Sequence, residues 1–195
     1  MEIKRDLTKH IIENIAVIFV TAMFFSCNND AQKVRDFLAD KNLPIGRSTN
    51  AFHVYKDSGR ITSKLTTPLM LDYSNRLKHP YSEFPEGIKI VNFKNKGFDS
   101  VTITGNYARS YSKTSISEIR GNVVVVNHSE GSRLETEELF WDQKTQYFVT
   151  EKSFKLTRSL DQKKDTIYGI GFESKEDLSK HIAKKTTGKL ETTEE

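Results

Sequence analysis

The stretch Gly121-Asn-Val-Val-Val-Val-Asn127-His-Ser-Glu-Gly131-Ser-Arg-Leu-Glu-Thr-Glu-Glu-Leu-Phe-Trp-Asp142 holds two strand-forming runs separated by a polar turn. Val123–Val126 is apolar at every position, as expected of a strand covered on both faces. His128-Ser-Glu-Gly131 carries turn formers and a glycine, so the runs Ser115–Asn127 and Ser132–Asp142 read as neighbours in an antiparallel hairpin. A hairpin alone cannot bury its apolar face, so the chain must supply more strands to stack on it.

Working outward, similar runs recur at Ala51–Lys56, Arg60–Leu71, Gly87–Lys94, Ser100–Tyr111, Gln146–Arg158 and Asp165–Ser174, with a weaker one at Gly188–Thr192. Turn signals stand between them at Lys56–Gly59, Lys94–Gly97 and Asp142–Thr145. Partial alternation sets Ile88, Ile90, Val101 and Ile103 on one side, with Lys89 and Thr102 on the other. A loose internal repeat begins at Gly59, Gly97, Gly131 and Asp165, each copy reading as turn, aliphatic strand start and apolar or aromatic end. The fold class is therefore all-β: antiparallel hairpins in two facing sheets, or one sheet rolled on itself, over residues 51–192. A polar tail of 193–195 follows.

Ahead of the strands, residues 28–50 read as a polar tether, with a short helix predicted over Ala31–Lys41 because Val34, Phe37 and Leu38 share one face. Residues 1–27 differ in kind. Ile15–Phe25 is an uncharged apolar run of signal-peptide length, too short for a hydrocarbon core that needs about 20 apolar residues. It leads through Ser26 into Cys27, the single cysteine among 195 residues. That placement is similar to a bacterial lipobox, whose cysteine is acylated after cleavage. An uncleaved signal anchor is the other reading, and either form holds the following domain at a membrane.

The net charge is +4 and its basic residues are scattered through mixed-sign sequence, unlike the concentrated patch of a nucleic-acid binder. His10, His53, His79, His128 and His181 are isolated, with no ligand spacing for a metal. Glu135, Glu137 and Glu138 suggest paired carboxylates, but two acids on one strand face do not make a glycosidase cleft. No nucleophile elbow or phosphate loop is present, and Gly169 and Gly171 read as close packing or a bulge. Trp141 and Tyr147 are expected to pack across their turn. Lys152, Lys155 and Arg158 would suit phosphates at a groove rim, or simply solvent. The chain reads as no enzyme and requires no cofactor.

The ordered phrases Glu83-Phe-Pro-Glu-Gly-Ile-Lys-Ile90, Gly121-Asn-Val-Val-Val-Val-Asn127, Leu134-Glu-Thr-Glu-Glu-Leu-Phe-Trp-Asp142 and Asp165-Thr-Ile-Tyr-Gly-Ile-Gly-Phe-Glu173 resemble the LptC family of lipopolysaccharide export proteins. The Glu-Phe-Pro-Glu-Gly phrase is similar to versions from Bacteroidetes-type bacteria, some of them lipoproteins. The resemblance implies a twisted open β-jellyroll of stacked hairpins, periplasmic and anchored at the inner membrane more than the outer. It implies a carrier that accepts lipopolysaccharide from an inner-membrane ABC transporter and passes it to a periplasmic LptA-like protein by edge-strand pairing. Other members are usually anchored by a spanning helix, so Cys27 is a departure.

On that reading the acyl chains would sit in an apolar groove lined by Ile61, Leu65, Ile88, Ile90, Val101, Ile103, Val123, Val125, Leu134, Leu139, Phe154, Leu156 and Ile167. Each is equally at home in an ordinary packed core. Two other functions remain open: an envelope adaptor lipoprotein that scaffolds protein partners with a closed core, and a hydrolase of envelope glycans.

Overall fold

A computed structural model describes residues 31–94, 99–160 and 163–187. Cys27, the apolar run before it, the Lys94–Gly97 turn beyond Lys94 and the Gly188–Thr192 strand lie outside the described residues. The helix α1 (Ala31–Asp40) matches the predicted one, and the sheet belongs to a unit that begins at Leu38. Among the described residues no helix is long and apolar enough to cross a membrane.

The sheet has eleven strands: β1 (Gly46–Asp57), β2 (Arg60–Tyr73), β3 (Tyr81–Phe84), β4 (Ile88–Lys94), β5 (Asp99–Gly105), β6 (Tyr107–Tyr111), β7 (Ile116–Asn127), β8 (Ser132–Asp142), β9 (Tyr147–Leu160), β10 (Lys163–Lys175) and β11 (His181–Thr187). All pairings are antiparallel. The order looks branched, because β2 pairs with both β3 and β4, and β7 with both β5 and β6. Register resolves the branch. β3 and β4 lie end to end along β2, and β5 and β6 lie end to end along β7, so each pair is one strand broken where it turns a corner. Read this way, the sheet is a simple meander from β1 to β11.

The corner is built the same way in successive strands. Between Arg120↔Glu138 and Val123↔Thr136, β7 advances one residue more than β8. The same one-residue slip separates Thr136↔Phe154 from Phe140↔Val149, and Ile170↔Ser153 from Phe172↔Thr150. It recurs between Thr66↔Lys89 and Leu71↔Glu83. A column of β-bulges thus crosses the sheet, and bulges bend strands. Glycines accept the required backbone where it turns left-handed, at Gly87 (φ 98°) and Gly121 (φ 73°). The long central strands are creased along this column, and the sheet folds over on itself as two facing layers.

Bending breaks the ladder, and buried threonines repair it. Thr67 Oγ1 lies 2.9 Å from the Leu69 carbonyl and 2.8 Å from that of Gly87. Thr136 Oγ1 donates to the Ser153 carbonyl at 2.9 Å and sits beside Thr150 Oγ1, which accepts from the Lys152 amide. These hydroxyls satisfy groups that would otherwise be orphaned away from water.

Several expectations are revised here. Strand β1 starts at Gly46 rather than Ala51, because its first residues pair with Leu69–Asp72 on the second layer, so the tether predicted to run to residue 50 gives up 46–50 to the sheet. The Ser100–Tyr111 run is broken at Asn106, whose amide donates to the Gly121 carbonyl across the corner. A last strand forms at His181–Thr187, paired to β10. Trp141 pairs with Phe148, not Tyr147, with ring centroids 6.1 Å apart.

Candidate functional site

The interior between the layers begins with period-two alternation. In the first layer Leu65 is opposite Ile90, Ile90 opposite Ile103, and Ile103 opposite Val125. The row continues through Leu134 and Leu156 to Ile167. One aliphatic row therefore crosses seven strands at right angles to the chain, which is the long axis of the interior. Burying such side chains stabilises the fold by about 1.5–3 kcal/mol each.

The second layer answers with two rows. Phe84, Ala108, Ile119 and Leu139 form an apolar one. Beside it Ser82, Ser110, Ser117 and Trp141 are successive partners, followed by Phe148 and Ser174. The Ser117 hydroxyl donates to Ser110 Oγ at 2.9 Å, and Gln143 Nε2 donates to Ser117 Oγ at 2.9 Å.

These rows enclose a cavity of about 200 Å³ at the β2–β8 end of the fold. Its apolar wall is Leu65, Met70, Phe84, Ile88, Ile90, Ala108 and Ile119, and its polar wall carries Ser63, Ser82, Ser110, Ser117 and Gln143. Ser63, Trp141 and Gln143 also line a wider mouth of about 550 Å³, completed by Thr62, Asn92, Phe93, Lys94, Gln146 and Glu176. Sites for drug-sized ligands occupy roughly 300–1,000 Å³. A multi-chain lipid therefore needs the layers to part further than they do here.

The predicted groove residues divide accordingly. Leu65, Ile88 and Ile90 line the cavity. Val101, Ile103, Val123, Val125, Leu134, Leu139, Phe154 and Leu156 lie in the same buried cluster, with Ile167 packed against it. Ile61 departs from the expectation: it is 42% exposed, because β4 pairs with β2 only over Ser63–Thr66 and leaves the strand end uncovered. Sequence reasoning missed Phe84, Ala108, Ile119 and the serines. Their signal is an i, i+2 pairing of one serine with one apolar residue, at Ser82/Phe84, Ala108/Ser110 and Ser117/Ile119.

Several of the remaining charged candidates are paired: Glu135 on the outer face, and Arg158 with Asp165 on the parity of Leu156 and Ile167 at the end of the aliphatic row. Glu135 takes Arg133 at 2.8 Å and Lys155 at 3.2 Å, and those hydrogen bonds hold its carboxyl below the usual range. Arg158 lies 3.8 Å from Asp165, and His128 meets Thr102 Oγ1 at 2.8 Å. Behind the serine row, Glu83 accepts from Tyr107 at 2.5 Å and from Arg109 at 3.0 Å. Burial, with that bond, pushes the Tyr107 hydroxyl up to about 12. Arg109 in turn sits 4.6 Å over the Tyr81 ring, tying β3 to β6 where each is short.

The family model for lipopolysaccharide assembly, LptC-related, matches residues 15–181. The chain belongs to the LptC family. No curated protein sequence matches it. LptC proteins are non-enzymatic components of lipopolysaccharide transport, periplasmic and anchored at the inner membrane. Membership agrees with the all-β fold and its single large antiparallel sheet.

Proposed function

We propose that this LptC protein accepts lipopolysaccharide from an inner-membrane ABC transporter, shelters its acyl chains along the Leu65–Ile167 row, and passes it to an LptA-like periplasmic protein. The observation that carries the reading is the cavity in which Leu65 and Ile90, the start of that aliphatic row, face a serine row. Acyl chains cost about 0.8 kcal/mol per methylene to leave in water, and an apolar track lowers that cost. Hydroxyls beside it suit the ester, amide and hydroxyl groups where the chains join their sugars. Among the described residues the outer edges of β1 and β11 are unpaired, which favours addition of a further strand at either end.

A photocrosslinking residue at Leu65 or Ile90 should capture lipopolysaccharide in membranes that carry the transporter, while outward Lys89 should not. Equal capture at all three positions, or at none, removes the reading. One observation favours the alternative, an adaptor that scaffolds partners without lipid: Ile103, Val125, Leu134 and Leu139 are fully buried in a packed interior. Lack of capture together with pull-down of envelope proteins would select it.

The anchor follows the same reading. Acylation of Cys27 would tether the domain as a lipoprotein, and palmitate labelling that survives Cys27→Ala would show that the attachment is elsewhere.

A further inference from the structure

The interior is not uniform along its axis, and the division falls at one place. The β10–β11 loop turns inward between the layers. Leu178 at its tip is 2% exposed and belongs to the buried cluster, yet its backbone is left-handed at φ 62°, a conformation disfavoured for a bulky aliphatic residue. Something outside the residue must hold it there.

The holding contacts come from both layers, Lys94 and Asn127 at strand ends of the first and Trp141 and Gln146 of the second. Asn127 Nδ2 donates to the Asp177 carbonyl at 2.7 Å. Lys94 Nζ lies 3.1 Å from Glu176 and 3.6 Å from Asp177. Glu176 is 6% exposed and also accepts from Trp141 Nε1 at 3.2 Å, while its own amide donates to the Gln146 carbonyl at 2.9 Å. Ser179 braces the loop from within through the Asp177 carboxylate.

Position gives the clasp its meaning. Lys94, Trp141 and Glu176 are wall residues of the cavity mouth. On one side of them lies the cavity lined by Leu65 and Phe84. On the other the space is filled by Phe148, Phe154, Phe172 and Leu178, with Phe154 and Phe172 only 4.9 Å apart. The aliphatic row runs past the clasp on both sides, from Leu65 to Ile167.

We propose that the loop Lys175–Lys180 is an internal gate, with Leu178 as its plug and Lys94, Asn127 and Trp141 as its latch, separating an entry chamber from the half of the interior next to β11. The inference rests on the lipid-carrier reading above. Acyl chains entering at the mouth occupy the Leu65–Phe84 chamber first. They reach the β11 half only when Glu176 and Asp177 leave Lys94 and Leu178 withdraws, which frees the volume that the aromatic rings then share with lipid. The strain at Leu178 favours withdrawal once the latch is released. Because the loop leads directly into β11 through the Ser174↔His181 pair, the gate stands at the end that faces an added strand.

The test places a diazirine-bearing phenylalanine at Phe84 or at Phe172 in the full-length membrane-bound chain and adds purified lipopolysaccharide. With the gate intact, labelling is strong at Phe84 and weak at Phe172. Two independent variants open it: Lys94→Met combined with Asn127→Ala removes the latch contacts of the first layer, and Leu178→Gly removes the plug while accepting the left-handed backbone. Either should raise labelling at Phe172 several-fold and leave Phe84 unchanged. Labelling at Phe172 that already equals Phe84 in the parent, or that neither variant changes, overturns the gate while leaving the carrier reading intact. Absence of adducts at both positions in every form overturns the carrier reading, and the gate with it.

Discussion

Thr67 is nearly inaccessible, and its hydroxyl reaches the carbonyls of Leu69 in its own strand and of Gly87 in the turn before β4. Replacing it with valine keeps the shape but strands those carbonyls in the interior. Leaving a buried acceptor unsatisfied costs about 1–3 kcal/mol, so Thr67→Val should lower stability by that order in urea unfolding, whereas Thr67→Ser should recover most of it. Gly105 fails for a different reason: a Cβ there would come within 2.4 Å of the Ile119 Cγ2 methyl. Gly105→Ala should cost about 1–3 kcal/mol by overpacking, and adding Ile119→Leu, which lacks that methyl, should return part of it in the same assay. At this scale the aliphatic row was legible, since Ile88, Ile90, Val101 and Ile103 announce their side by alternation alone. The crease threonines were not, because a threonine that mends a bend has the same local sequence signature as one that faces water.

Strands differ in how openly the sequence declares them. β8 was readable to the residue, because glycine and polar residues bound it at both ends. β3, four residues of mixed polarity, was hidden: it exists because it pairs on both sides, with β2 and with β6. The strand His181–Thr187 was missed for a similar reason, since it is mostly exposed and gains its strand character from β10. His181 opens this strand and stacks on Phe172 at 5.7 Å. Burial, with the nearby Arg158 charge, lowers its pKa below the ordinary value. The unfolded chain therefore takes the proton first, and stability present above about pH 6.5 should decline as pH falls below it. Thermal unfolding followed from pH 7 to pH 5 should show that decline, and His181→Phe should reduce it. An unchanged slope in the variant would assign the effect to other groups.

For the whole molecule, the creased meander means that protection should follow distance from the two open edges. The inward residues of β5, β7, β8 and β9 include fully buried Ile103, Val125, Leu134 and Phe148, while β1 and β11 are largely exposed. Amide hydrogen exchange should accordingly be slowest in the central strands and fastest in β1 and β11. A fast-exchanging β7 would mean that the interior opens as a unit and not from its ends. The architecture as a whole was legible as stacked hairpins, because the repeat units starting at Gly59 and Gly131 mark the β1–β2 and β7–β8 turns, and the one starting at Asp165 falls just inside β10. A bulge at Gly169–Gly171 was legible in the sequence and sits on the crease; what escaped was the alignment of such bulges across the strands, and with it the facing serine and apolar rows.

The meander also sets the order in which this chain can assemble. Nearly every strand finds its partner in the next stretch of sequence, so a chain made from its N-terminus can pair hairpin after hairpin without waiting for a distant segment, which keeps loop-closure entropy small. The contacts of the β10–β11 loop are exceptions, and the longest in sequence is that of Lys94 with Glu176 and Asp177. It spans most of the sheet and can form only after β10 is in place. The same ion pair that divides the finished interior is therefore among the last contacts to form, and until then the nascent roll is open along its whole length.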